Sequence, residues 1–367
     1  MISRRKALIA GGAGAAVVGA GAVGVTVANR EKPEPPAPPS VDNDGHLLWR
    51  NWSGIQHAYP ETRLAPATVE ELAAALPGTA APIRPVGAGH SFTGLVPTSG
   101  TLLSLDAISG VSRWDGDQAI VRAGTRLGAL GPALAAEGRA MPNLPDINKQ
   151  SLAGAISTAT HGTGAKLTAI HGDVTALSLL TPDGTRIDCD AANRPDVFQA
   201  ARVSLGALGV VVEAKLRTSP NARLRRRVWI EPFEETLAKS EERWATHRNY
   251  EFYAVPFTGL AAAITHDETT DPVQPQGETE DDAFLAALKT LRNLLGFSTP
   301  MRKAAAKGLL GGVEPETAVD EGWKLLSTER PVRFNEMEYH LPADAQLSAL
   351  KEVVATIERE RPDVFFP

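Results

Sequence analysis

The chain has 367 residues, 43% of them hydrophobic and 22% charged, which is ordinary for a soluble globular protein with more than one domain. Its formal net charge of −6 argues against a nucleic-acid partner, which would need a basic face. A single cysteine, Cys189, excludes an internal disulfide and cysteine-rich metal or redox sites, and we predict no metal.

The first 30 residues are typical of an export signal. Arg4 and Arg5 precede an uncharged run, from Ala7 to Ala28, which resembles a twin-arginine signal. The alternative is a membrane anchor, because about 20 residues can span a bilayer. We therefore expect a protein that is exported, to the periplasm or beyond the cytoplasm, or held at the cell membrane. Residues 31–45 are a proline-rich linker and should be extended.

The elements that follow mix short strands and helices. A helix should begin after Thr68, a good N-cap with Glu71 three residues on. Alternation and turn residues predict further elements before residue 218. The predicted strands are 83–86, 100–105, 118–123, 175–181, 186–189 and 209–216, with a turn at 182–184, and the predicted helices are 69–76, 127–137 and 198–203.

The pattern of residue types changes near residue 218. Residues 223–228 are basic and could neutralise an anionic group, although a charged strand edge is the simpler interpretation. Spacing predicts helices within 230–244, at 283–295 and at 345–359, a loop at 267–282, and a strand at 334–339. The chain ends in an apolar run, 364–367, and we expect such an end to pair with residues further on, as in a truncated protein.

Two segments can carry chemistry. In Gly87-Ala-Gly-His-Ser91 the two glycines let backbone N–H groups converge on a phosphate, and His90 would lie beside the bound group. By itself this could be a plain glycine turn with a structural histidine. Residues 144–164 are dense in Gly, Ser and Thr, which suits a wall for a flat cofactor. His161 in this segment, like His171 after it, is either a polar pocket residue or a buried structural histidine.

Several separated motifs together resemble the FAD-binding domain of the vanillyl-alcohol-oxidase superfamily, and within it the sugar-1,4-lactone oxidases. They are Trp49-Arg-Asn-Trp-Ser-Gly54, residues 84–91, Thr98-Ser-Gly-Thr-Leu-Leu-Ser104, residues 143–164 and Leu205-Gly-Ala-Leu-Gly209. The resemblance implies an α+β fold, with a two-subdomain FAD-binding domain of the vanillyl-alcohol-oxidase (PCMH) type at 46–217. An incomplete α+β substrate domain would follow at 218–367.

The resemblance also implies roles for individual residues. His90 would attack the 8α-methyl group of the flavin and hold FAD covalently. Ser151 would line the flavin and face the substrate, as the one candidate catalytic residue. The implied cofactor-binding residues are Pro85, Val86, Gly87, Ala88, Gly89, His90, Ser91, Ser151, Gly154, Ser157, Ala159, His161, Thr163, Gly164, Ala165, Lys166, Val210 and Val211.

The implied reaction is oxidation of a CH–OH group of an aldonolactone or polyol, with hydride passing to flavin N5 and electrons to O2 or to a membrane or periplasmic acceptor. The resemblance implies a Glu-x-Arg strand that begins just past Pro367 and is followed later by a His-x-Gly-Lys motif. Glu336 and Glu338 are interpreted as a solvated strand face. Two alternatives stay open: a truncated, inactive flavin-binding protein, and a flavin enzyme for a larger alcohol such as a sterol or oligosaccharide.

Overall fold

A computed structural model describes residues 36–277, 281–310, 312–328 and 333–365. Their contacts separate two units. The first comprises Pro36–Arg223 with Glu321–Glu338, and the second comprises Leu224–Asp320 with the residues from Tyr339 on. The predicted export signal lies outside the described residues. Within the described ranges, no helix combines the length and the apolar character that crossing a membrane requires.

A small parallel sheet begins the first unit. Its strands are β3 (Thr62–Leu64), β5 (Thr101–Ser104) and β4 (Ile83–Val86), in that order. Helix α1 (Val69–Ala75) links β3 to β4, and a 3-10 turn (Leu76–Gly78) follows it. The predicted cap is confirmed, because Glu71 N donates to Thr68 Oγ1 at 3.0 Å. The first N–H groups of a helix lack partners in the helix itself, so this bond fixes where α1 begins.

A five-stranded antiparallel sheet forms the other part of the first unit. Its order is β10-β9-β11-β7-β6, and the predicted β9–β10 hairpin is confirmed, with Gly184 at φ +79° in its turn. The central strand carries three consecutive buried valines from Val210, as expected where both faces of a sheet are covered. The strands are β6 (Val111–Asp115), β7 (Gln118–Arg122), β9 (Val174–Leu180), β10 (Arg186–Asp190) and β11 (Val210–Arg217).

Helices cover this sheet and share its core. They are α2 (Leu127–Ala135), α3 (Leu152–Ser157) and α4 (Pro195–Ala201), with a 3-10 turn at Ile170–Asp173. Short pairs complete the unit: β1 (Trp49–Arg50) with β2 (His57–Ala58), and β8 (Arg139–Ala140) with β12 (Ser219–Pro220). The two sheets confirm the two-subdomain α+β prediction.

The segment 321–338 returns to the first unit, which the predicted boundary at residue 217 does not include. Helix α8 (Gly322–Leu325) brings the Trp323 side chain against Gly131, where an added Cβ would lie 3.0 Å from Trp323 Cβ. Ser327 Oγ then donates to Pro145 O at 2.6 Å. These contacts join residues almost 200 positions apart in the chain, so local patterns could not predict the return.

The second unit is a four-stranded sheet with helices. The sheet order is β14-β15-β13-β16, and β15 pairs antiparallel with both β14 and β13. The strands are β13 (Arg223–Pro232), β14 (Asn249–Val255), β15 (Leu260–Glu268) and β16 (Glu316–Glu321), and the helices are α5 (Phe233–Thr246), α6 (Asp281–Leu295), α7 (Thr299–Leu310) and α9 (Ala343–Glu360). The predicted helices at 283–295 and 345–359 are confirmed.

One predicted element is wrong. Residues 334–339 alternate like a strand, yet the structure gives them no strand pairing. The side chains explain the pattern differently: the Phe334 ring packs edge-on against Trp52, with the centroids 5.1 Å apart. Met337 is 80% exposed, so the alternation does not separate a core face from a solvent face. Alternation without a partner strand does not make a strand, because sheet pairing supplies the backbone hydrogen bonds.

Candidate functional site

The loop after β4 contains the predicted glycine motif and is held by hydrogen bonds from the segment 51–52. Trp52 N donates to Gly89 O at 2.8 Å, and Asn51 Nδ2 donates to Ser91 O at 3.0 Å. Asn51 is buried and its Oδ1 also accepts from Gly54 N at 2.9 Å. Gly89 has φ +68°, a backbone conformation that favours glycine. The Trp49–Gly54 motif therefore fixes the shape of the loop that carries His90.

The two predicted segments meet at Gly87 and Ser151. A Cβ added at Gly87 would lie 2.1 Å from Ser151 Oγ, so only glycine allows this approach. Ser151 is itself the N-cap of α3, where its Oγ accepts a hydrogen bond from Gly154 N at 3.4 Å. The glycine loop and the start of α3 are therefore neighbours, as the prediction of one shared site requires.

His90 lies in the same loop and is half-buried. Its ring stacks on Trp52, with centroids 4.8 Å apart and planes inclined by 22°. Burial lowers the pKa of His90, and the positive charges of Arg126 and Lys149 lower it further. The imidazole is thus held in its neutral form, which is the nucleophilic form.

Arg126 is a site residue that the sequence analysis missed. It occupies the N-cap of α2 without making a cap bond, and its backbone pairs with Ser151. Its Nη2 donates to Asp106 Oδ1 at 2.5 Å, while Nη1 is buried and has no hydrogen-bond partner among the described residues. An arginine is unusual at an N-cap, where small polar side chains are favoured and a cation opposes the helix dipole. The arginine at this N-cap was the feature of the sequence that could have pointed to a site residue.

The beginning and the end of the predicted Gly-, Ser- and Thr-rich wall are in direct contact with each other. Asn143 Nδ2 donates to Thr163 O at 2.9 Å. A Cβ at Gly162 would lie 2.2 Å from Leu144 O, so the two backbones meet with no room for a side chain. Leu167 N donates to Gly164 O at 3.1 Å, which closes the turn that contains Ala165 and Lys166. Asn143 and Thr163 thus hold the beginning and the end of this segment together.

His161 has a partner that the sequence analysis treated as a solvated residue. Its Nε2 lies 2.5 Å from Glu338 Oε1, and its Nδ1 donates to Gly162 O at 2.8 Å. Burial disfavours the charged ring, but these hydrogen bonds and the charges of Glu338 and Glu336 outweigh it and raise the pKa of His161. Both glutamates are exposed, as expected, but Glu338 also binds His161.

The remaining predicted residues are placed as follows. Pro85 and Val86 end β4, and Ser157 ends α3. Ala159 has φ +56°, in the turn that leaves α3. Val210 and Val211 begin β11 with their side chains in the hydrophobic core, so only their backbone atoms are left to contact a ligand.

These residues fit FAD on three observations. At Gly87 and Gly162 the chain approaches Ser151 and Leu144 so closely that no side chain fits, which keeps this segment free of bulk. The unpaired Nη1 of Arg126 is a buried cationic donor, which suits an electron-rich or anionic partner. His90 presents a neutral ring beside them. A cradle of small residues with one cationic donor is the donor set that a flavin and its pyrophosphate need.

Comparison with known proteins identifies the family. Residues 60–190 match the family model described as an FAD binding domain, and residues 214–367 match that of D-arabinono-1,4-lactone oxidase. L-gulono-1,4-lactone dehydrogenase of Mycobacterium tuberculosis is 30% identical over 332 residues, covering 87% of this chain and 76% of that protein. The chain belongs to the FAD-linked sugar-lactone oxidoreductases. It is an FAD-dependent oxidoreductase.

More distant relatives are matched over smaller shares of their length. D-arabinono-1,4-lactone oxidase of Saccharomyces cerevisiae is 29% identical over 235 residues, covering 62% of this chain and 45% of that protein. Cholesterol oxidase from Brevibacterium sterolicum has a similar fold, with a TM-score of 0.57 at 18% identity, over 77% of this chain and 62% of that one. The chain thus spans about half of the yeast enzyme and less than two thirds of the cholesterol oxidase.

Proposed function

We propose that this chain oxidises a CH–OH group of a sugar-1,4-lactone, of the L-gulono- or D-arabinono- type, with FAD held covalently through His90. The observation that carries the proposal is the meeting of the His90 loop with the start of α3 at Gly87 and Ser151. The names of the relatives, an L-gulono-1,4-lactone dehydrogenase and a D-arabinono-1,4-lactone oxidase, support the substrate class.

The chain's own residues have separate tasks in this proposal. Bound FAD supplies the hydride acceptor. Backbone N–H groups of residues 87–91 would bind the pyrophosphate, and the small residues of α3 would lie along the flavin. Ser151 Oγ is engaged by Gly154 N and lies against Gly87, which supports a role in fixing the loop. Its predicted contact with the substrate stays a prediction.

The His161–Glu338 pair is suited to receive the substrate's hydroxyl proton. With Nδ1 donating to Gly162 O, the imidazole can take or release a proton only at Nε2, the atom that faces Glu338. The carboxylate raises the pKa of His161, so the ring can receive a proton only above that raised pKa, where its Nε2 is unprotonated. A proton taken from the substrate hydroxyl would therefore be held between two groups that share it.

Turnover with lactone tests the proposal. Adding L-gulono-1,4-lactone without oxygen to the flavin-loaded protein should bleach its absorbance near ~450 nm, because the flavin ring takes up the electron pair. Readmitting oxygen and measuring peroxide, against reduction of an artificial dye, separates O2 from another acceptor. A loaded protein that no aldonolactone or polyol bleaches would instead be the flavin-binding protein without activity.

His161→Gln gives the same experiment a matched variant. Glutamine keeps a polar side chain but cannot hold the transferred proton, and general acid–base catalysis is typically worth about 10²–10⁴-fold in rate. We expect slower bleaching by a factor in that range, with the flavin spectrum unchanged before substrate is added. Bleaching at the wild-type rate would remove the pair from the mechanism.

We also propose that the protein acts outside the cytoplasm, exported or held at the membrane. The support is the Arg4-Arg5 pair ahead of an uncharged run. Fractionation of cells that produce the wild type and the Arg4→Lys/Arg5→Lys variant tests this, since loss of the pair should leave the protein in the cytoplasm. Equal export of both would contradict a twin-arginine signal.

A further inference from the structure

A cavity of about 500 Å³ lies in the second unit between the sheet and α5. We call it the basic pocket. Strand β13 contributes Arg225, Arg227 and Trp229, and α5 contributes Lys239 and Arg243. Four cationic side chains thus line the cavity, together with His247 and the carboxylates of Glu231 and Asp267.

The strand register explains why these side chains converge. Residues 225, 227 and 229 are two apart and so point to one face of the sheet. Their antiparallel partners on β15 share that face: Arg227 is opposite Thr265, and Arg225 is opposite Asp267. Arg226 lies between them on the other face. The basic run that the sequence analysis singled out is therefore split, and only part of it lines the pocket.

The floor of the pocket is fixed and neutralised. Arg243 binds buried Glu231 through both of its terminal nitrogens, with Nη2 donating to Oε2 at 2.9 Å. Burial opposes ionisation of Glu231, but hydrogen bonds from Arg243, Trp229 and Thr236 outweigh it and lower the pKa of Glu231. The Arg243 guanidinium also lies 5.1 Å from the Trp229 ring centroid. Arg243 is thus committed to the fold and is not available to a ligand.

Arg227 is different. Its guanidinium lies 5.3 Å from the Trp229 ring centroid, and no hydrogen bond or ion pair joins it to another residue that the structure describes. Stacking on an aromatic ring orients a guanidinium and leaves its N–H donors free in the plane. The side chain is exposed at the mouth of the cavity. It is a preoriented cation without a counterion among the described residues.

Two neighbouring cations can join Arg227. Lys239 Nζ is paired with Glu235 at 2.6 Å, and Arg225 is paired with Asp271. In each pair both side chains are well exposed, and such surface pairs contribute little free energy and exchange readily. A ligand that brings its own negative charge can therefore replace Glu235 or Asp271 as the partner.

We propose that the basic pocket binds the phosphate or carboxylate group of a small hydroxylated molecule, with Arg227 as the principal contact. An arginine in this orientation can form a planar, bidentate contact with an oxyanion. A volume of about 500 Å³ exceeds that of a bare ion and is ordinary for a small-molecule site. The mixture of cations with the Thr265 and Asp267 side chains suits an oxyanion that also carries hydroxyl groups. None of the flavin-site residues lines this pocket.

Isothermal titration of the full-length protein with inorganic phosphate and, separately, with D-gluconate tests the proposal. Both run against sodium chloride at the same ionic strength, so that simple screening cancels. We expect one saturable site for at least one of the anions, and Arg227→Gln should weaken it about tenfold or more, as the loss of a charge-assisted hydrogen bond does. The two anions distinguish a phosphate from a carboxylate ligand.

Arg226→Gln is the matched control, since it removes the same charge one residue away on the opposite face of β13. It should change the affinity by less than about threefold, because its side chain points away from the pocket. Lys239→Gln serves as a second pocket variant on the helix wall, should Arg227→Gln fold poorly. The proposal fails if neither anion gives a saturable site, or if Arg226→Gln weakens binding as much as the pocket variants do.

Discussion

His90→Ala is expected to release the flavin completely from covalent attachment. Acid precipitation of the wild-type protein should leave the yellow colour in the pellet, and precipitation of the variant should leave it in the supernatant. The reason is the position of His90: its half-buried neutral ring lies in the glycine loop, stacked on Trp52 and beside Arg126 and Lys149. The ratio of flavin absorbance in pellet and supernatant measures the effect directly.

His171→Ala is the matched control for this experiment. Burial and the charge of Arg202 lower the pKa of His171 as well, so it is a second neutral histidine in the same unit. It lies in a 3-10 turn before β9 and not in the glycine loop. The pellet of His171→Ala should stay yellow. A yellow pellet from His90→Ala, or a colourless one from His171→Ala, would show that the wrong histidine has been assigned.

The lowered pKa of His90 gives the same prediction a pH dependence. Burial and two nearby cations disfavour the imidazolium, so the folded protein keeps His90 neutral at pH values where a free imidazole, with a pKa of about 6.5, takes up a proton. The rate of covalent incorporation into flavin-free protein should therefore fall only below that ordinary value. A midpoint at or above it would contradict the neutral-nucleophile argument.

Structural features that depend on neighbouring residues were predictable from the sequence, and contacts between distant residues were not. The cap at Thr68 and the hairpin turn at Gly184 depend on residues three or four apart, so their patterns are readable in one stretch. The stacking of Trp52 on His90 joins residues 38 apart and leaves no periodic trace. The motif resemblance placed both residues in one domain, but it could not say that their rings touch.

The largest omissions follow from the return of residues 321–338. The alternating run at 334–339 predicted a strand. The sequence does not reveal that Phe334 instead packs on the ring of Trp52 in the first unit. The same return places Glu338 beside His161. Glu338 was interpreted as solvated for a sound local reason, since exposed alternating glutamates are common. Only the tertiary structure gives it a partner.

Gly87→Ala is expected to weaken FAD binding by about 1–3 kcal/mol, or roughly 5- to 150-fold. The new Cβ would lie 2.1 Å from Ser151 Oγ and 3.0 Å from Ser151 Cβ, so rotating the hydroxyl away relieves only part of the clash. The loop or the start of α3 must move, and these are the two walls of the flavin site. Gly78→Ala is the control, because a Cβ there meets nothing within 4 Å.

A double variant tells whether contact with Ser151 is the cause. Ser151→Ala alone removes the α3 cap and should cost about 1 kcal/mol of stability. In Gly87→Ala/Ser151→Ala the 2.1 Å contact disappears and a 3.0 Å contact between two carbon atoms remains, which a shift of a few tenths of an ångström relieves. The double variant should therefore bind FAD more tightly than Gly87→Ala, a non-additivity typical of residues in contact. Titration of the four flavin-free proteins with FAD, each carrying His90→Ala so that binding stays reversible, and followed by quenching of flavin fluorescence, measures the four affinities. If the two losses simply added, Gly87 would act through its backbone freedom alone, and the glycine loop and α3 would not be the two coupled walls of one site.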